Sequence, residues 1–522
     1  MSELAQDPEG AGAAVEPGPG ATAPVAGGTL RFALGADPVS IDPRGLVDPE
    51  GELVARALFE PPLDLDPDGR LVPAAAEAFT WEDEGRTLVL TVREAAFHDG
   101  SPVTAVDLAR AVERVADDAV APRFRSDLVA GVVAVEVVDD RTLVLRLDAP
   151  RPGLLLALTD LAFAPVPAMA DEDPETFAAR PIGNGPFAMA EPRSPGEFLR
   201  LVRVEAHHRR ARLDELLFVV QDDDASGEAR WRDLGAGLLQ VADVPATRRQ
   251  EAIALHGAGL DGQRGPGHLG AALAAVHHYA FDVTRAPFDD VRVRRAISAA
   301  IDRERIATEV LGGTHLPADR ILPPSLGVPA LEGAACDHCR RDPELARTLV
   351  AAWRERAGED ADLELALTYP RTAVNAAVAE AIARDLEQVL GAEVRLQGRD
   401  LPGFVRAVEA GEAGVFRLGL SVASDGPRAA AELLVPRFLP DRAEAWTRFD
   451  APGLTRRLGA LAADPAAELL AAQEVEAELL DQAVVVPLLW PRRDLVVAED
   501  VEGLVLTPGG RWWPELVRLR TP

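Results

Sequence analysis

Between residues 363 and 396 the chain reads as strand, helix, strand. Residues 363–368 form a short apolar run, Ala373–Leu390 carries an apolar pattern at helical spacing, and 392–396 returns to a strand. Two strands separated by a helix are expected to lie parallel, because the helix carries the chain back across the sheet. This half is therefore read as α/β. With 522 residues the chain exceeds the ~100–200 of a single domain, so two or three are expected.

Local signals punctuate the rest. Thr29–Leu34 is a strand ended by Gly35, and residues 63–72 hold the tight-turn sequence Asp66-Pro67-Asp68-Gly69. Asp64, in that turn region, is read as a position where Asn alters little. Residues 86–93 alternate as a strand. Thr104 and Asp107 form a capping box ahead of a helix with Leu108, Val112 and Val115 on one face. Residues 132–138 and Thr142–Leu147 are strands joined at Asp139-Asp140. Residues 290–300 stack Val293, Ile297 and Ile301, and Asp302 caps a helix stopping at Gly312-Gly313. Asp342-Pro343 and Asp464-Pro465 open two more helices, and 484–489 is a buried-type strand.

Composition removes several chemistries. Asp and Glu number 85 against 54 basic residues, a net charge of −31, which argues against a nucleic-acid partner. There is no lysine, so a Walker A lysine, a pyridoxal Schiff base and a Ser-Lys dyad are excluded. Residues 1–27 carry no Arg and are Pro/Gly/Ala-rich. They read as a flexible tail without the basic start of an export signal or a cysteine for a lipid anchor. The longest apolar stretch, 153–170, is interrupted by Asp160, Pro165 and Pro167 and makes a poor membrane span.

Few motifs carry chemistry. Gly257-Ala258-Gly259-Leu260-Asp261-Gly262 matches the dinucleotide pattern by letter, but a helical stretch precedes it and a Gly/Pro run follows, so it reads as a linker. Cys336-Asp337-His338-Cys339 reads first as a small structural disulfide, with free thiols and metal or redox chemistry as alternatives. His207-His208 and His277-His278 are adjacent pairs. On a strand neighbours face opposite ways, so no metal site is expected there. Asp222-Asp223-Asp224 lacks the glycine and distant glutamate of a calcium loop. No G-x-S-x-G or H-E-x-x-H occurs, and neither an enzyme nor a cofactor is expected.

Five segments together resemble the extracytoplasmic solute-binding proteins, family 5, of peptide/nickel-type ABC importers. They are Gly28-Thr29-Leu30-Arg31-Phe32 with Ile41-Asp42-Pro43; Leu58-Phe59-Glu60-Pro61 through Phe97-His98-Asp99-Gly100-Ser101-Pro102-Val103-Thr104-Ala105-Val106-Asp107; Pro181-Ile182-Gly183-Asn184-Gly185-Pro186-Phe187; Pro287-Phe288-Asp289-Asp290-Val291-Arg292 through Ala300-Ile301-Asp302-Arg303; and Val485-Val486-Pro487-Leu488. They occur in the family's order over residues 28–510. The resemblance implies an α/β, two-lobed periplasmic-binding-protein-like fold with an extra subdomain. Residues 28–60, 181–265 and 485–522 would form a discontinuous lobe I, 61–180 the subdomain and 266–484 lobe II.

The resemblance also implies a function. A small peptide or similar solute would be held between the lobes and passed to ABC permease and ATPase subunits by a monomer outside the cytoplasm. An intracellular ligand sensor on the same fold is the alternative, and a nickel or metallophore binder has little support. The family's peptide binders anchor an amino group on an acid in a segment resembling Leu420-Ser421-Val422-Ala423-Ser424-Asp425-Gly426-Pro427, whose tryptophan is missing here. Asp425 with Ser424, Arg371 with Tyr369, and Asp37 form the expected ligand-binding set. Arg371 follows a strand end, where ligands approach open α/β sheets and an arginine would grip a carboxylate.

Overall fold

The computed structural model describes residues 27–520 apart from 47, 117–128, 130, 152, 222–226, 258–266, 333–335, 359–360, 423–425, 439–444 and 464–468. The expected tail, the 257–262 linker, the Asp222–Asp224 run, the Asp464-Pro465 helix start and the Ser424-Asp425 pair therefore lie wholly or mainly outside the described residues.

The strand-helix-strand reading holds. Glu364–Pro370 and Glu393–Arg399 pair in parallel, with Leu367 opposite Leu396, and helix Ala373–Leu390 joins them. Thr372 starts this helix by accepting from the Asn375 N–H, and Gly391 ends it at a φ of 64°. Asp302 and Asp342 act as the N-caps their positions suggest. At the 66–69 turn the Asp66 carboxylate accepts from the Asp68 and Arg70 N–H groups, and Gly69 sits at a φ of 79°.

Among the described residues the largest sheet has 12 strands. Its second-half part runs in the order 393–399, 364–370, 415–421, 275–281, then 485–497. Its first-half part continues with 241–243, 29–34, 215–220, 198–203 and 187–189. Strand Val485–Val497 links the two parts. Its early residues pair with Ala275–Phe281, and its later ones with Gly267–Ala272 and Val241–Asp243. The sequence ends this strand near 489, because Pro491-Arg492-Arg493-Asp494 breaks the apolar run. Pro491 is tolerated at the changeover, where its carbonyl accepts from the Leu273 N–H at 2.8 Å.

The cores follow this division. One cluster packs Leu30, Phe32, Phe218 and Trp512, and another fills the 63–163 region around Leu90, Leu108 and Phe163. Two more cover the faces of the second-half sheet, around Phe416 with Leu434 and around Tyr279 with Ile382. Signature residues prove structural. Arg294 donates to the carbonyls of Phe288, Gln482 and Ala483, and Arg303 to those of Ser298 and Pro487. Cys336 and Cys339 are joined by a disulfide with their Cα atoms 5.3 Å apart.

Two readings change. His207 and His208 do not lie on a strand but in the turn after Phe198–Arg203, with ring centroids 4.6 Å apart. Asp64 is 7% exposed and ion-paired to Arg209 and Arg511, because the C-terminal segment packs over its hairpin.

Candidate ligand-binding site

Strand Val415–Ser421 lies between Glu364–Pro370, to which it is parallel, and Ala275–Phe281, to which it is antiparallel. This register sets Arg417 opposite Tyr279 and Gly419 opposite His277. Alternation along both strands puts these four residues on one face. The approach at Gly419 is tight: a Cβ there would stand 3.2 Å from the His277 ring and 3.3 Å from the Arg417 guanidinium. His315 arrives from strand His315–Pro317, which pairs with 485–497, and its ring centroid lies 5.2 Å from that of His277. Val374, Asn375 and Val378, from the start of helix Ala373–Leu390, complete the wall with Leu488 and Leu489.

These residues surround a cavity of about 10 Å³, room for roughly one water. Burial holds His277 at a pKa of about 3 and His315 at about 4, and the Arg417 charge adds to both depressions. Both rings are therefore neutral near pH 7. Burial also lowers the Arg417 pKa and raises that of Tyr279. The Tyr279 hydroxyl, 1% exposed, makes no hydrogen bond, and the Arg417 guanidinium has no ion-pair partner among the described residues. A guanidinium, a free hydroxyl and a helix N-terminus at one spot suit a single anionic oxygen group.

Farther along the same strands lies a cavity of about 180 Å³, lined by Asp243, Arg249, Leu273, Thr314, Arg492, Arg493 and Asp494. Asp494 is held by Arg492 at 2.8 Å and His268 at 2.9 Å. Burial pushes the Asp243 carboxyl up, with Arg493 opposing. Thr314 and His315, hydrogen-bonded at 2.9 Å, link the walls of the two cavities.

The expected site residues divide. Ser424 and Asp425 are outside the described residues, three and four positions past the end of the strand that carries Arg417. Arg371 is exposed and donates to the Gly398 carbonyl at 2.8 Å, away from the small cavity's lining. Tyr369 is 6% exposed and packs against Gly398. Asp37 pairs with Arg193 at 2.6 Å and accepts from the Gly196 N–H, and it lines neither cavity. Arg417 and His315 carry no sequence signal, since one arginine among 54 looks like another. His277 was visible as one of a pair, but its partners lie on other strands.

One contact closes the second half against the first. Arg428, in helix Gly426–Phe438, donates to the carbonyls of Leu156 at 2.7 Å and Ala157 at 3.2 Å and to Asp160 at 3.0 Å. Burial works against its charge, but Glu432 and Asp160 outweigh it and raise its pKa.

Residues 70–435 match the sequence model of the bacterial extracellular solute-binding proteins, family 5. The chain is 26% identical over 409 residues to the probable deoxycholate-binding periplasmic protein YgiS of Escherichia coli, covering 73% of each chain. It is 27% identical over 407 residues to the periplasmic murein peptide-binding protein MppA of the same organism, again with 73% of each covered. Among solved structures, the unliganded open form of the MppA murein tripeptide binding protein superposes with a TM-score of 0.76 at 22% identity, over 96% of this chain and 99% of that one. HbpA2 from Haemophilus parasuis gives 0.79 at 18% identity, over 95% and 100%. The likeness shows the fold, α/β and two-lobed. Among the described residues no helix is long and apolar enough to cross a membrane.

Proposed function

The chain belongs to the family 5 bacterial extracellular solute-binding proteins, a family of binding proteins rather than enzymes, and from that premise we propose that it captures a small carboxylate-bearing solute, a short peptide first, between its lobes. It then presents the closed form to ABC permease and ATPase subunits, outside the cytoplasm and as a monomer. Lobe I would comprise 28–60, 181–265 and 485–522, with 61–180 as its subdomain and 266–484 as lobe II. The pairing of 485–497 with strands of both parts supports that division.

The observation that carries the reading is Arg417. A half-buried guanidinium without an acidic partner among the described residues is costly unless a ligand supplies the carboxylate. The neutral His277 and His315 and the free Tyr279 hydroxyl would complete the grip. Asp425, in the segment that follows the same strand, would take the amino group of a peptide. The relatives' names support the class of ligand: MppA binds a murein peptide, and DppE of Bacillus subtilis is a dipeptide-binding protein. Ligand would shift an open–closed equilibrium, because only the closed form touches it from both lobes.

Calorimetry with di- and tripeptides, each as free acid and as C-terminal amide, tests this. The parent should prefer the acid, and Arg417→Gln should weaken acid binding by at least about 30-fold, the lower end for a buried charge pair. Equal affinity of the parent for acid and amide would overturn the carboxylate reading.

A further inference from the structure

Glu60 follows helix Pro49–Leu58 and is 5% exposed. Asn184 clamps its backbone from both sides: the side-chain oxygen accepts from the Glu60 N–H, and the amide nitrogen donates to the Glu60 carbonyl, each at 2.9 Å. Arg209 Nε, 3.1 Å from Oε1, occupies one edge of the carboxylate. The other oxygen, Oε2, faces two imidazoles. His208 Nε2 lies 2.8 Å from it and His207 Nε2 lies 3.9 Å from it.

His207 is the informative member. Its side chain is 6% exposed, yet Nε2 makes no hydrogen bond. Its Nδ1 accepts from the Arg209 N–H at 3.1 Å and stands 3.2 Å from the Arg209 carbonyl. A metal on Nε2 would move the ring proton to Nδ1, where it is donated to that carbonyl in place of the bond from the Arg209 N–H. Backbone carbonyls orient metal-binding histidines in this way. The turn after residue 203 makes the convergence possible, since a strand would send the two rings to opposite faces.

We propose that Glu60, His207 and His208 bind a divalent transition-metal ion, with zinc the first choice. The three donor atoms lie within 4.8 Å of one another. A tetrahedral zinc with bonds of ~2.0–2.1 Å needs donors about 3.3 Å apart. The observed 2.8 and 3.9 Å straddle that value, so each ring has to shift by about half an ångström to meet it. Two imidazoles with one carboxylate suit zinc, nickel or copper rather than calcium or magnesium, which take oxygen ligands. His208, 25% exposed at its side chain, leaves a route for the ion and a fourth position for water. The ion would join the 204–210 turn to the end of the 49–58 helix within the first-half core, apart from both cavities. It would stabilise the fold and play no part in holding solute.

The test uses the full chain without an affinity tag, stripped with a chelator. Zinc chloride titrated by calorimetry should bind once per chain and raise the melting temperature, and cobalt(II) should give the visible absorption of a tetrahedral complex. His207→Gln and His208→Gln should each weaken zinc binding by at least 30-fold, while His256→Gln, on an exposed helix end, should not. His208 is near the surface, so its variant is expected to fold, which circular dichroism would verify. Absence of stoichiometric zinc on the parent, or retention of parent affinity by either variant, overturns the assignment.

Discussion

Asp64 and Arg511, 447 positions apart, form a buried ion pair, and Arg209 holds the other oxygen of the same carboxylate at 2.7 Å. Arg511 also donates to Thr159, so the C-terminal segment is tied at one point to the 63–73 hairpin and to the 154–163 region. One acid thus holds two guanidiniums, of which Arg209 also pairs with Glu60 and Glu515. This sets the first prediction.

Asp64→Asn should destabilise the chain by about 3–5 kcal/mol, the usual cost of stripping one partner from a buried pair. Burial pushes the Asp64 carboxyl up, but Arg511, Arg209 and Arg56 together hold it below its ordinary value. A depressed folded pKa contributes stability that is present above the unfolded value of ~3.9 and is lost as pH falls below it. Urea unfolding of parent and variant at pH 7 and pH 3 measures both effects. The gap between them should be large at pH 7 and shrink at pH 3; a neutral substitution at pH 7 would contradict the burial.

His277 and His315 should stay neutral down to about pH 5, read from imidazole shifts by NMR, because their folded pKa values are about 3 and about 4. The unfolded chain takes up those protons below ~6.5. Stability is therefore drawn down as pH falls from about 6.5 toward 4. The double variant His277→Gln/His315→Gln should lose less stability over that window than the parent. Equal losses would place both rings in solvent.

Arg428→Gln should loosen the closed form. The side chain surrenders two carbonyls and Asp160 across the contact between the halves. Small-angle scattering should show a larger radius of gyration for the unliganded variant than for the parent, with solute bound less tightly. Identical scattering profiles would mean that the contact does not govern closure.

Asp425→Asn should weaken free-amine peptides by about 2–5 kcal/mol and leave N-acetylated peptides unaffected. Calorimetry on the two peptide series separates an anchoring acid from a turn residue before Gly426-Pro427, which would treat both series alike.

Thiol counting under denaturing, non-reducing conditions should find neither Cys336 nor Cys339 free in protein taken from its native compartment. They are the only cysteines and stand in one short loop ahead of helix Pro343–Ala357. Two free thiols would favour an intracellular location.

The amino-acid sequence by itself determined the local elements and the family. Helix Ala373–Leu390 was legible to the residue, as were the Asp302 and Asp342 caps and the Asp66–Gly69 turn, because each depends on residues within a few positions of one another. The signature segments were legible for the same reason, since they build turns and caps. Tertiary structure alone decided the rest. Strand 485–497 runs on past Pro491 because partners from two other segments pair with its later residues. Arg417 meets His277 and His315 only through the register of separate strands. Glu60 meets His207 and His208 through a turn that pattern-reading took for a strand. Each of these joins residues tens to hundreds of positions apart, and such pairings leave no periodicity in the chain for a local reading to find.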